Sequence, residues 1–123
     1  MNIRDIATTP LALEIARGLR RASGSLARAR AIRRAITDLL RIPEDEFLNG
    51  RGVDRVSRPR MVSMVLCRRL TLLSHHDIKT LHNRSNHTTV IHAVRKYGTD
   101  PHFLELLRTI RALTGETPAT QPA

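Results

Sequence analysis

The hydrophobic positions of this chain keep a helical rhythm from end to end, and polar runs between them mark the breaks. Leu11, Ile15 and Leu19 recur every fourth residue, with Arg17, Arg20 and Arg21 on the opposite side. That spacing predicts a helix opened by Thr8, Thr9 and Pro10. The run "ASGS" at 22–25 interrupts it, and Ser25 is placed to cap a second helix reaching about Arg41. The buried stripe of this second helix is Ile32, Ala35, Ile36, Leu39 and Leu40. Ile42-Pro43 stops it, because the residue before a proline avoids the helical region. "PEDEFL" then reads as a short acidic helix, its carboxylates near the positive end and Phe47 and Leu48 turned inward.

"NGRG" from Asn49 predicts a flexible joint. "VSRPR" predicts the start of a longer helix, with Ser57 as cap, Pro59 in the first turn and Val62, Val65, Leu66 and Leu70 on the core side. Ser74 and Asp77 form a variant of the capping box ahead of a short helix through Leu81. After the turn "HNRS", Asn86 caps another helix whose apolar side is Val90, Ala93, Val94 and Tyr97, with Gly98 where a C-terminal glycine belongs. Asp100-Pro101 opens a last helix carrying Phe103, Leu106, Leu107 and Ile110 and ending at Gly115. No segment alternates as a strand does, and no internal repeat is present. The expected fold is all-α, a compact bundle of about six helices with short loops.

One helix start is unusual. "NHTTVIHAVRKYG" places four hydrogen-bonding side chains, Asn86 to Thr89, before any apolar anchor. Two short helices joined by a tight turn describe a helix-turn-helix, whose second helix enters the major groove of DNA by its amino end. Such a helix needs base-reading side chains in its first turn and anchors behind them. His87 and Thr88 fit the first role, Thr89 falls near the sugar-phosphate wall, and Val90, Val94 and Tyr97 fit the second. A threonine methyl can touch the thymine methyl, and a histidine can donate to or accept from a base edge. Free amides at the helix start also suit a phosphate.

Charge sharpens that reading. The chain has 21 Lys+Arg against 11 Asp+Glu, a net charge of +10, which favours a polyanionic partner. The surplus is concentrated. Arg51, Arg55, Arg58, Arg60, Arg68, Arg69, Lys79, Arg84, Arg95 and Lys96 face only Asp54 and Asp77 between Arg51 and Tyr97. Composition also excludes classes. No run approaches the length of a membrane span, and "MNIRDIATTP" lacks the apolar core of a secretory signal. The single cysteine, Cys67, sits mid-helix beside Leu66 and reads as core rather than nucleophile, in keeping with a reducing cytoplasm. Five histidines between His75 and His92 show no zinc spacing, so no metal or other cofactor is expected, and no enzyme. Aromatic residues make up 2%, too few for single-strand stacking. The basic amphipathic helix Leu11–Arg21 could lie on acidic lipid, but its stripe more simply packs on the bundle or a second copy.

The segment "RPRMVSMVLCRRLTLLSHHDIKTLHNRSNHTTVIHAVRKY" resembles the C-terminal DNA-binding domain of the DnaA replication initiators, a Trp-repressor-like helix-turn-helix. That family opens a long helix with Arg-Pro-Arg, follows with a Leu-Ser-x-x-x-Ile helix, and then has Gly-Gly-Arg-Asp-His-Thr-Thr-Val. The likeness covers roughly Ala29 to Leu113 and is most specific over Asn86 to Lys96. It implies that His87 and Thr88 read bases, with Asn86 standing where the family has a base-contacting Asp. It places Thr89, Arg60 and Arg68 against the DNA backbone or nearby groove. The family also inserts an Arg into the minor groove from the segment before Arg-Pro-Arg; Arg51 and Arg55 both lie near that point. Asn83-Arg84-Ser85 replaces the family's Gly-Gly-Arg, so the turn needs Asn83 in a left-handed conformation or a different shape. Asn at 86 adds a donor that suits adenine.

Nothing in the 123 residues matches the GxxxxGK[ST] phosphate loop that the initiators' ATPase module carries. The expectation is therefore a reading head without the motor. Residues 1–24 form an N-terminal helical extension, 25–115 the DNA-binding domain, and 116–123 a disordered tail or linker start. The expected partner is double-stranded DNA in the bacterial cytoplasm and nucleoid, with no membrane. Asn86, His87 and Thr88 supply sequence choice, and Arg58, Lys79, Arg84, Arg95 and Lys96 join the backbone-contacting cations. A protein partner is expected, if anywhere, at the N-terminal helix or beyond the tail. Transcription regulation, including that of phage-derived genes, is the leading role. Binding DnaA-box-like origin sites beside the initiator is the alternative, and a scaffold without DNA the third.

Overall fold

A computed structural model describes residues 2–50 and 54–116, residue 54 in its backbone alone. Eight helices follow one another among the described residues: α1 (Ile3–Ile6), α2 (Thr9–Arg21), α3 (Ser25–Leu40), α4 (Glu44–Asn49), α5 (Asp54–Leu70), α6 (His75–Leu81), α7 (Thr88–Tyr97) and α8 (Pro101–Thr114). There is no strand among those residues, as expected. The helix α1 was not foreseen; a capping box between Asn2 and Asp5 holds its single turn, and Ile3 and Ile6 bury it.

Helix α5 is the axis of the bundle. Val62, Met64, Val65, Leu66 and Cys67 are all fully buried, because α1, α3, α4, α6 and α7 pack around it. Such an all-round apolar run is the mark of a central helix. Its start differs from expectation. It begins at Asp54, with Pro59 inside and buried, so Ser57 lies within the helix and is not its cap. Pro59, the sixth residue of the helix, has no N–H to give the carbonyl four residues before it, so one helical bond near the start of α5 is missing. The expected flexible joint at 49–52 lies partly outside the described residues, and Asn49 itself closes α4.

Other termini follow their local chemistry. Ser25 is the first residue of α3 behind Gly24, and its Oγ accepts from the Leu72 amide at 2.9 Å instead of capping. The Ser74–Asp77 capping box starts α6 as expected. Asn83 adopts the left-handed conformation, φ 54°, that the missing glycines require. Its side chain donates to Asn49 Oδ1 at 2.6 Å, tying the turn to α4. Gly98 is needed for space, not for a left-handed turn: its φ is −59°, and a Cβ there would lie 2.4 Å from Val94 O.

The N-terminal extension is part of the core. Leu11, Ala12, Ile15, Ala16 and Leu19 of α2 are buried against α3 and α8. The stripe packs within the bundle, the simplest of the readings its pattern allowed, and is not left for a second copy or a lipid surface. Glu116, expected to begin a tail, is held by Arg28 at 2.6 Å; residues 117–123 lie outside the described part.

Candidate nucleic-acid interface

The amino end of α7 is bare. Asn86, His87 and Thr88 are exposed and Thr89 half-buried, while Val90, Ala93 and Tyr97 further along are buried. Burial of Val90 contributes about 1.5–3 kcal/mol of anchoring. The N-cap of α7 is His87 and not Asn86 as expected, and it makes no side-chain cap bond; Asn86, one place earlier, holds the turn, its Oδ1 accepting from the Thr88 amide at 3.0 Å. Its Nδ2 remains the group able to donate to a base. The Thr89 and Val90 amides are also engaged, with Asn86 O at 3.2 Å and His87 O at 3.0 Å. The free amides expected to hold a phosphate are therefore taken up within the turn.

The turn before α7 is locked from the α4 side. Arg84 donates through Nε to the carbonyls of His82 and Asn83, and through Nη2 to Leu48 O. Behind it, His82 is fully buried. Its Nδ1 donates to Ile78 O at 2.8 Å, which leaves Nε2 to accept from Ser63 Oγ at 2.7 Å. Burial lowers the His82 pKa to about 4, with the charges of Arg33, Arg60 and Arg84 acting in the same direction, so the ring is neutral.

The expected cations divide into two groups. Arg60 leaves the candidate surface: it is 5% exposed, with Nε on Phe47 O at 2.9 Å and Nη2 on Gly50 O at 2.7 Å. Burial, then the nearby Arg84 charge, lowers its pKa to about 10. It fastens the carboxyl end of α4 to α5, with both of these donors turned to backbone carbonyls. Arg84, half-buried, is likewise committed to backbone carbonyls. Arg95 and Lys96 are exposed on α7, with Lys96 Nζ 5.5 Å from the Tyr97 ring centre. Lys79 and Arg58 are half-buried. Arg55 is exposed and paired with Glu46; Arg51, the other minor-groove candidate, lies outside the described residues.

Arg68 stays at the site. It is half-buried, with Nη1 reaching Leu73 O at a long 3.4 Å and a buried Nε that has no hydrogen-bond partner among the described residues. Next to it stands a residue the pattern did not single out. His75, at the start of α6, lies within Coulombic reach of Arg68 and His87; burial, then those two neighbours, lowers its pKa. The fold thus gathers α5, α6 and α7 into one surface of Arg68, His75 and His87. Its only signal in the sequence was the placement of His75 directly after the Ser74 cap.

A short helix, a turn fixed by Asn83 and Arg84, and a second helix with a bare polar amino end define a helix-turn-helix DNA-binding domain. The family model described as the bacterial dnaA protein helix-turn-helix matches residues 29–96, and the chain belongs to that family. The match runs from α3 to the last turn of α7 and leaves out α1, α2 and α8. The DnaA protein of Bordetella pertussis, a chromosomal replication initiator protein, is 31% identical over 93 residues, 76% of this chain and 20% of its own. The DnaA of Methylibium petroleiphilum is 34% identical over 67 residues, 54% of this chain and 14% of its own. That of Rhodopseudomonas palustris strain BisB5 is 38% identical over 65 residues, 53% of this chain and 14% of its own. The chain spans about a fifth or less of the length of these relatives. No solved structure matches it.

Proposed function

We propose that this protein binds duplex DNA in a sequence-specific manner and regulates transcription, without catalysis, in the bacterial nucleoid. The observation that carries this reading is the exposed amino end of α7, where Asn86, His87 and Thr88 stand clear of the bundle while the rest of the helix is anchored. Base choice falls to those three side chains, with His75 beside them, and affinity to Arg68, Arg58, Arg55, Lys79, Thr89, Arg95 and Lys96 through phosphate contacts.

Selecting bound duplexes from a random pool supplies the preferred site. On that site His87→Ala is expected to cost about 1–3 kcal/mol, with little loss on random duplex. Equal loss on both would count against base reading by this helix.

The second reading follows from the relatives, which are named as chromosomal replication initiators. In it the protein occupies DnaA-box-like sites at an origin, competing with or assisting an initiator. Mapping occupancy along a genome separates the two: binding confined to the origin favours replication, and binding at promoters favours regulation.

A further inference from the structure

A second basic site lies away from the bare end of α7, in the cleft between α5 and α8. The cleft has a volume of about 410 Å³, an apolar floor that includes Leu104 and Leu107, and the guanidinium groups of Arg69, Arg108 and Arg111 around it. An apolar hollow with a few convergent polar groups is the usual make-up of a small-molecule site. Its one carboxylate, Glu116, is engaged with Arg28 at 2.6 Å. Arg108 pairs with Glu105 on the solvent side, where both are well exposed. Arg111 Nη2 donates to the carbonyl of Arg69 at 3.3 Å.

Arg69 is the under-used member. Its buried Nε has no hydrogen-bond partner among the described residues, and Nη2 reaches Gly98 O only at 3.4 Å. A guanidinium carries five donors, and a buried donor without an acceptor is destabilising. A carboxylate offers two oxygens in the matching fork geometry. We propose that the α5–α8 cleft binds a small molecule with a single carboxylate on an apolar body, Arg69 and Arg111 taking the carboxylate and Leu104 and Leu107 the body.

The site has a route to α7. Gly98 ends that helix, its amide donating to Val94 O at 2.8 Å, and its carbonyl is the acceptor for Arg69. A ligand that recruits Arg69 changes its hold on Gly98, so occupancy is registered at the carboxyl end of α7. This second step rests on the DNA-binding reading of α7; ligand binding itself does not.

The test is a titration of the full chain, free of DNA, with octanoate, acetate and inorganic phosphate at matched ionic strength, followed by calorimetry and NMR. Octanoate is expected to saturate one site, with shifts concentrated on Arg69, Leu104, Leu107 and Arg111. Acetate and phosphate should bind at least about tenfold more weakly, for want of an apolar body. Arg69→Met keeps the stem, removes the fork, and should weaken octanoate about tenfold or more. Ala112→Phe fills the cleft from its exposed rim and should do the same with helix content unchanged; it carries the test if the Arg69 variant fails to fold. No saturable binding, shifts elsewhere, an equal response to acetate, or wild-type binding by either variant overturns the site. If octanoate binds yet leaves the affinity for the selected duplex unchanged, where a change of about fivefold or more is expected, the coupling to α7 falls while the site stands. A chain that binds no duplex at all would sink the DNA reading and leave the site untouched.

Discussion

At the scale of single residues, the structure separates charges that face outward from charges that hold the fold. Arg60 reads in the sequence like any other cation before a helix-turn-helix, yet its guanidinium bridges the carbonyls of Phe47 and Gly50. Arg60→Ala strands those carbonyls and is expected to cost about 1–3 kcal/mol of stability in urea unfolding, with the salt dependence of DNA binding unchanged. A flattened salt dependence would return Arg60 to the interface. His82 gives the fold an acid-sensitive point. Its ring keeps a pKa of about 4 when folded, against an ordinary value of 6.5. Between those values the unfolded chain takes up a proton that the folded ring excludes. Stability is therefore full above about pH 6.5 and falls as the pH drops toward 4, by roughly 3 kcal/mol. His82→Gln should flatten that slope in urea unfolding across the same window. Parallel pH profiles for the two proteins would assign the acid sensitivity to another group.

At the scale of elements, legibility depended on whether the deciding interaction was local. The capping box of Ser74 and Asp77 involves neighbours three residues apart, and the start of α6 was visible from them. The resemblance, with Asn83-Arg84-Ser85 in place of Gly-Gly-Arg, left two options for the turn, a left-handed Asn83 or a different shape, and the structure takes the first. By contrast, Ser25 and Ser57 look like caps but are not. The first is claimed by Leu72, far along the chain, and the second is overridden by the packing that carries α5 back to Asp54. The burial of Arg60 was illegible for the same reason, because its acceptors lie ten and thirteen residues away in a separate element. The turn between α6 and α7 sets the direction of the bare helix end, so its strain has a measurable weight. Asn83→Ala keeps the left-handed demand and deletes the bond to Asn49. A loss of about 1–2 kcal/mol in denaturant unfolding is expected, and Asn83→Gly should recover part of it. Equal stability of the Ala and Gly variants would show that conformation at 83 does not control the turn.

At the scale of the whole molecule, the net charge of +10 overstates the electrostatic grip on DNA. Of the ten cations between Arg51 and Tyr97, Arg60 and Arg84 are spent on backbone carbonyls and Arg69 lines the α5–α8 cleft. Arg55, Arg58, Arg68, Lys79, Arg95 and Lys96 remain on the described surface near the helix-turn-helix, with Arg51 in the segment before it. Each phosphate neutralised contributes about 0.9 to the slope of log K against log salt. The observed slope on the selected duplex should then be no steeper than about −6, and Arg68→Ala should reduce it by about 1. Titration of labelled duplex at several salt concentrations gives both numbers. A slope near −9 would mean that the buried guanidinium groups, or the arginines of α2 and α3, reach the backbone after all. A slope unmoved by Arg68→Ala would detach the Arg68, His75 and His87 surface from DNA, and with it the assignment of α7 as the helix that enters the groove.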